Sequence, residues 1–342
     1  MNDFTSKISA RQLYCLIFVS RATVIFYNSA FLDVNVTAVE YAISAVVGLF
    51  ILLLLSLLIG NKTVKPTIIS SPIIKAVLVL LYSFAIVEAF VILSDFFKKI
   101  YKSDEPVILM LILSAAVVFY SLTKGIEGLG RLSFLVALVL AVSLLMIIIF
   151  NASRFDITKL SQVSDLKGAG LCAAFIRQFV FLPEIFLLFS FAPYVDKPMK
   201  YKSVIKLFAI ETVVFVLLMI FFEAVLARLV FIEKLPINML SSLGEFSVLR
   251  RLDSSRLCIF IVVTLVKIMA FSQGLNIIFR HSAKGKNSRC SIYCVMAILV
   301  FLIALSTVFL KNGDNVIFAL VSIASIICSV VILFSSIGRK NA

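Results

Sequence analysis

The sequence predicts an all-α polytopic membrane protein with ten transmembrane helices, and three observations carry that reading. Hydrophobic residues make up 62% and charged residues 15% of the 342 positions, against about 45–50% and about 25% in globular proteins. The mean hydropathy of +1.14 is a whole-chain average, which excludes a single-anchor receptor whose extramembrane part would pull composition back toward the average. Finally, the apolar residues fall into long runs bounded by charges. Such runs are about twice the length of a barrel strand and lack its alternation, so helices are the choice.

The runs are 12–32, 41–60, 76–94, 107–123, 132–150, 169–192, 207–231, 257–279, 291–310 and 315–337. Residues 1–11 are polar and the first run exceeds a signal-peptide core, so segment one is expected in the mature protein. Lys62 and Lys65 follow segment two, and Lys75 and Asp95 bracket segment three. Segments four and five are separated by 124–131, where Gly125, Gly128 and Gly130 are expected to make a tight cytoplasmic turn. Lys167 and Pro193 bound segment six, Lys206 and Glu233 segment seven, Arg256 and Arg280 segment eight, Arg289 and Lys311 segment nine, Asp314 and Arg339 segment ten.

Charge sets the orientation. The amino-terminal tail, the loops 61–75, 124–131, 193–206 and 280–290, and the carboxy-terminal tail carry 17 basic residues against three acids, Asp3, Glu127 and Asp196. The opposite loops balance at 11 and 11, so the net charge of +14 belongs to one face. The positive-inside rule makes that face, with both termini, cytoplasmic. Contact with anionic lipid headgroups accounts for the charge without nucleic acid. The cysteines are scattered and read as small apolar side chains; one loop-borne histidine, His281, supports neither a metal site nor a nucleophile–base pair, and neither an enzyme nor a cofactor is expected.

Eight ionisable groups lie inside the segments: Arg21, Glu88, Arg177, Glu184, Glu211, Glu223, Arg228 and Lys267. A charge at the bilayer centre costs at least about 2.5–3.5 kcal/mol, so such groups face a partner or a watery cavity. Glu211 and Arg228 sit near the ends of their run and read as structural; Arg21 and Lys267 lie close to mid-segment. Pro183 stands in the middle of segment six beside Glu184. There it removes a backbone hydrogen bond and frees carbonyls one turn earlier, so segment six reads as a discontinuous helix. Ten segments with both ends inside divide into two halves of opposite orientation, about 12–150 and 169–337, as a 5+5 inverted repeat within one transmembrane domain, 1–342, requires.

Several stretches resemble one family, the B subunits of bacterial spore germinant receptors, or spore germination permeases, in the amino acid–polyamine–organocation transporter superfamily. Lys7-Ile8-Ser9-Ala10-Arg11-Gln12-Leu13 with Ser20-Arg21 is similar to its opening signature, and Lys124 to Arg131 to its loop between segments four and five. Phe181-Leu182-Pro183-Glu184 with Pro193 and Lys197-Pro198 is similar to its sixth segment, and Phe246 to Asp253 and Lys267 also match. The resemblance implies a leucine-transporter-like fold with discontinuous helices 1 and 6 and A-type and C-type partner subunits. It also implies a place in the inner membrane of the dormant spore and sensing of a small nutrient such as an amino acid. Ser20-Arg21-Ala22-Thr23-Val24 departs from related transporters, which unwind helix 1 at a glycine. Arg21 can instead pair with a ligand carboxylate, in competition with a structural pair to Glu88 or Glu184.

The expected ligand-binding residues are therefore Ser20, Arg21, Ala22, Thr23, Tyr82, Arg177, Phe181 and Pro183, and the expected proton- or ion-coupling residues Glu88, Glu184, Glu223 and Lys267. Three functions compete. One is a nutrient-sensing subunit whose bundle shifts on binding; another is a proton-coupled amino acid permease in which Lys267 fills the place of a sodium ion. A passive water or ion conduit is the third. The external loop 232–256, with Phe246, Leu249, Arg250 and Arg251 between polar residues, reads either as a short amphipathic surface helix on which a partner docks or as a helix lying against its own bundle.

Overall fold

The computed structural model describes residues 7–26, 36–59, 72–101, 105–163, 168–196, 199, 201–227, 229–232, 236–243, 253–282, 288–312 and 314–338. Among them the regular structure is helical, with one isolated bridge, Ile8 to Val195. Each of the ten apolar runs falls on helix over most of its described residues. In chain order the helices are α1 (Ala10–Phe26), α2 (Ala38–Ile59), α3 (Pro72–Tyr101), α4 (Glu105–Asn151), α5 (Thr158–Val163), α6 (Gly168–Gln178) and α7 (Pro183–Phe191). There follow α8 (Tyr201–Leu226), α9 (Leu229–Ile232), α10 (Pro236–Leu243), α11 (Asp253–Ser282), α12 (Ser288–Asn312) and α13 (Asp314–Gly338).

Five described stretches are long and apolar enough to cross a bilayer: Pro72–Lys98, Val107–Arg154, Gly168–Leu188, Lys202–Leu226 and Cys258–Arg280. Ala38–Phe50, Ser291–Ser306 and Leu320–Val331 are shorter apolar helices. Val107–Arg154 has 48 residues and would measure about 72 Å if straight, more than twice a hydrocarbon core. It is not straight. Gly125 has φ 77° and ψ −170°, a combination essentially restricted to glycine, and divides α4 into segments four and five.

Two expectations need correction here. Gly128 and Gly130 stay helical rather than joining the turn. Gly130 instead lets the amino-terminal segment approach, since a Cβ there would lie 3.0 Å from Ile8. Helix 1 is not discontinuous within the described residues, for α1 is α-helical throughout Ser20-Arg21-Ala22-Thr23. Without a glycine the unwound backbone has no cheap conformation, and the intrahelical bonds are kept. Of the external loop 232–256, Pro236–Leu243 forms the short helix α10, packed on α4, α8 and α11, while Phe246 to Arg251 lie outside the described residues. Segment six does break, with a 3₁₀ turn at Phe179–Phe181 between α6 and α7, and Pro183 opens α7 at its first turn.

Two sequence signatures start helices. Ser9 and Gln12 exchange bonds ahead of α1, the Ser9 N–H donating to Gln12 Oε1 at 2.9 Å and the Gln12 N–H to Ser9 Oγ at 3.2 Å. Thr37 and Glu40 do the same ahead of α2, at 2.9 and 3.2 Å. Both are capping boxes that satisfy orphan amides.

The centre of the molecule is α11, on which every residue from Val266 to Ile278 is buried. It packs on α1, α3, α4, α7 and α12. Gly274 permits the α3 contact, because a Cβ there would stand 2.8 Å from the Tyr82 ring. α4 is peripheral and turns Ile108, Leu109, Ile112, Leu135, Leu138 and Val142 outward. Loops predicted to share a face meet. At one end the Ile8 N–H donates to the Tyr194 carbonyl (2.8 Å), the Asp196 N–H to the Ile8 carbonyl (3.0 Å), and Ser133 Oγ to the Gln12 carbonyl (3.3 Å). At the other, Asn151 Nδ2 donates to the Leu240 carbonyl (3.1 Å) and Lys159 Nζ to that of Val225 (3.2 Å).

Candidate functional site

The break in segment six aims a helix start into the bundle. Pro183 occupies the first turn of α7 without losing a bond it needs, and Glu184 follows it, fully buried, where the positive end of the helix favours a carboxylate. Ser20 of α1 donates its hydroxyl to Glu184 Oε1 at 3.1 Å. Lys267 of α11 places Nζ 3.0 Å from Glu88 Oε2 of α3 and 3.6 Å from Glu184 Oε1. One polar chain, Ser20–Glu184–Lys267–Glu88, thus ties α1, α7, α11 and α3 together, and all four residues are inaccessible to solvent.

A second pair stands beside it. Arg21 Nη1 donates to Glu211 Oε2 of α8 at 2.8 Å, with both side chains almost wholly buried. The guanidinium lies 5.2 Å from the ring centres of Phe181 and Phe208 and 5.8 Å from that of Phe215, so aromatic faces replace water around a desolvated cation. Arg21 therefore pairs with neither Glu88 nor Glu184, as the sequence had allowed. Lys267 takes both of those acids and leaves Arg21 to the third.

Among the described side chains three carboxylates and two cations share this interior, an excess of one negative charge if all are ionised. Within the described residues Glu88 Oε1, Glu184 Oε2, Glu211 Oε1 and Arg21 Nε have no hydrogen-bond partner. Such groups are expensive to leave unmatched at membrane depth. A small cavity opens between α1, α2, the segment-six break and α8, lined by Arg21, Gly48, Gln178, Phe181 and Thr212 among others, with about 20 Å³ of room for the centre of a water molecule. That is one water's worth. Gln178 closes one side, donating from Nε2 to Ser44 Oγ at 3.1 Å.

The structure brings together Ser20, Arg21, Phe181, Pro183, Glu88, Glu184 and Lys267 and leaves others apart. Ala22 and Thr23 are buried on α1, Thr23 Oγ1 without a partner among the described residues. Tyr82 shares a 2.6 Å hydrogen bond with Ser190 of α7 and packs on Phe271, six residues and about 9 Å along α3 from Glu88. Arg177 falls within α6, but its side chain lies outside the described residues, as does Arg228. Glu223 is separate from the cluster. It accepts the Ala38 N–H at the start of α2, about 18 Å along α8 from Glu211. Glu211, Gln178 and Thr212 were not among the expected site residues; only the rule that a buried charge needs a partner pointed to Glu211.

Helices that expose apolar side chains outward and hold charge inward define an integral membrane protein of the transporter type. The chain belongs to the spore germination protein family, whose profile matches residues 62–316. The match covers α3 to α12 and so contains Glu88, Glu184, Glu211 and Lys267; Ser20 and Arg21 precede it. No curated protein matches the chain.

Proposed function

We propose that this protein is the membrane subunit of a spore germinant receptor, with a leucine-transporter-like arrangement of two inverted five-helix repeats and a small nutrient, an amino acid, bound where segment six breaks. The observation that carries this reading is the Arg21–Glu211 pair at the edge of that break, beside a cavity now fit only for water. Among the described side chains there, Arg21 is the group suited to a ligand carboxylate, through its unpartnered Nε and its Nη atoms. In the present arrangement Glu211 occupies Arg21 as an internal carboxylate. A ligand enters by widening the cleft and replacing Glu211, with Ser20, Ala22, Thr23, Phe181 and Pro183 around it and Tyr82 and Arg177 at its margins. Binding then favours the wider state by the difference in its affinity for the two. A-type and C-type subunits in the spore inner membrane read that shift, and both termini of this chain lie in the cytoplasm.

The charge excess favours a second reading, a proton-coupled amino acid permease. Glu88, Glu184 or Glu211 takes up a proton in turn while Lys267 stands as a fixed cation, and Glu223 acts at the outer end of α8. Two experiments separate the readings. The sensing subunit requires Arg21→Lys and Arg21→Gln spores, with the protein present at normal levels, to lose nutrient sensitivity, and the partner subunits to copurify from spores. Uptake of labelled amino acid into proteoliposomes by this chain alone supports the permease; germination that ignores both substitutions ends the ligand role of Arg21.

A further inference from the structure

A second cavity lies away from the charged interior, in the angle of α4. The bend at Gly125 sets two arms against each other, and between them is a space of about 490 Å³, within the range of small-molecule sites. Val117, Tyr120 and Lys124 line it from the incoming arm, Arg131 and Leu132 from the outgoing arm, and Met269 of α11 closes its floor. The Lys124 ammonium stands 5.2 Å from the centre of the Tyr120 ring, and Arg131 donates to Glu127 one turn before it. Lys124 and Arg131 against Glu127 leave one positive charge.

The surroundings choose among ligands for that charge. Away from the bend, both arms turn large apolar side chains outward, with Leu113 52%, Val117 45%, Leu135 61% and Leu138 57% exposed. A helix hydrophobic on its outer face belongs in hydrocarbon. The mouth of the cavity therefore opens where acyl chains end and headgroups begin, with an exposed tyrosine at that level as interfacial rings prefer. A soluble anion would find the two bases but leave the apolar walls bare; a phospholipid covers both.

We propose that the angle of α4 is a binding site for an anionic phospholipid. Its phosphate rests between Lys124 and Arg131, and its acyl chains run down Val117, Leu132 and the outer faces of the arms. The Lys124–Tyr120 contact holds the ammonium at headgroup height, and the bond to Glu127 fixes Arg131 at the wall of the groove. The site is independent of the nutrient reading, since Arg21, Glu184 and Lys267 are not part of its lining.

The test is native mass spectrometry of the delipidated full-length chain titrated with phosphatidylglycerol or phosphatidylcholine, for wild type, Lys124→Gln, Arg131→Gln, the double variant and Lys202→Gln, an exposed base elsewhere. Phosphatidylglycerol is expected to bind the wild type preferentially, about fivefold more weakly in each single variant and roughly 25-fold more weakly in the double, from the usual contribution of one base near an anionic headgroup. Lys202→Gln is expected to match wild type. Equal binding of the two lipids, or a double variant within twofold of wild type, overturns the proposal. So does inorganic phosphate displacing the lipid at equal concentration, which assigns the site to a free anion. Should a variant misfold, the wild type decides: raising salt from 0.05 to 0.5 M weakens phosphatidylglycerol binding and spares phosphatidylcholine, or the proposal fails.

Discussion

Replacing Lys267 by Met removes one cation from between two acids and keeps the length of the side chain. At an effective dielectric constant of about 20, attractions over 3.0 Å and 3.6 Å are about 5.5 and about 4.6 kcal/mol. Desolvation of three buried groups offsets most of that in the intact protein. Removing the cation alone restores none of it, because Glu88 and Glu184 stay buried, and the expected loss of stability is about 3–5 kcal/mol. Adding Glu88→Gln to Lys267→Met removes one of the stranded charges, so the double variant is expected to be more stable than the sum of the single effects by at least about 1.5 kcal/mol. The assay is reversible unfolding in mixed micelles by titrated SDS, applied to both single variants, the double and wild type. Additivity of the two effects to within about 0.5 kcal/mol would mean that the pair is not coupled, and the reasoning fails.

Further expectations can be checked on the same purified chain. Gly125→Ala forces a side chain into a glycine-only region of backbone space and is expected to cost about 1–3 kcal/mol in the same unfolding assay; no loss there contradicts the bend. Gly170→Ala would drive a Cβ into the Glu40 carboxylate that caps α2. It should therefore cost about 1–2 kcal/mol, with little further loss on adding Thr37→Ala, because both changes break one cap. The Asp156 carboxyl is held below its ordinary value by hydrogen bonds from the Thr158 hydroxyl and N–H. A depressed acid stabilises the folded state above its unfolded value, and that contribution fades as pH falls through the folded one. Thr158→Ala is expected to move the Asp156 titration, followed by NMR, upward.

The helical runs were legible because lipid leaves the backbone few alternatives, and the break in segment six because a proline in mid-run cannot donate a bond. The partners of the interior charges were not. Glu211 reads as shallow when segment seven is taken to begin at 207, but α8 starts at Tyr201, which carries Glu211 ten residues into the helix and level with Arg21. The same shift carries Glu223 toward the end of α8, where it caps α2 instead of joining Lys267. Pairings between residues 190 positions apart, such as Arg21 and Glu211, follow from how helices pack and leave no local trace. Helix 1 was expected to open by analogy with relatives that have glycine there, and its own residues favoured a continuous α1. The capping boxes at Ser9-x-x-Gln12 and Thr37-x-x-Glu40 were not among the expectations, although their signal is local.

The central claim is that Glu211 holds, on Arg21, the place of a ligand carboxylate. Its most direct test is equilibrium binding of labelled amino acids to the full-length chain in lipid nanodiscs, comparing wild type with Glu211→Gln and Arg21→Gln. A charged hydrogen bond of about 1.5–3 kcal/mol must be given up before the ligand binds, so Glu211→Gln is predicted to bind roughly 10- to 100-fold more tightly and Arg21→Gln not at all. Affinity that is unchanged or weaker in Glu211→Gln, together with binding that survives Arg21→Gln, contradicts the account.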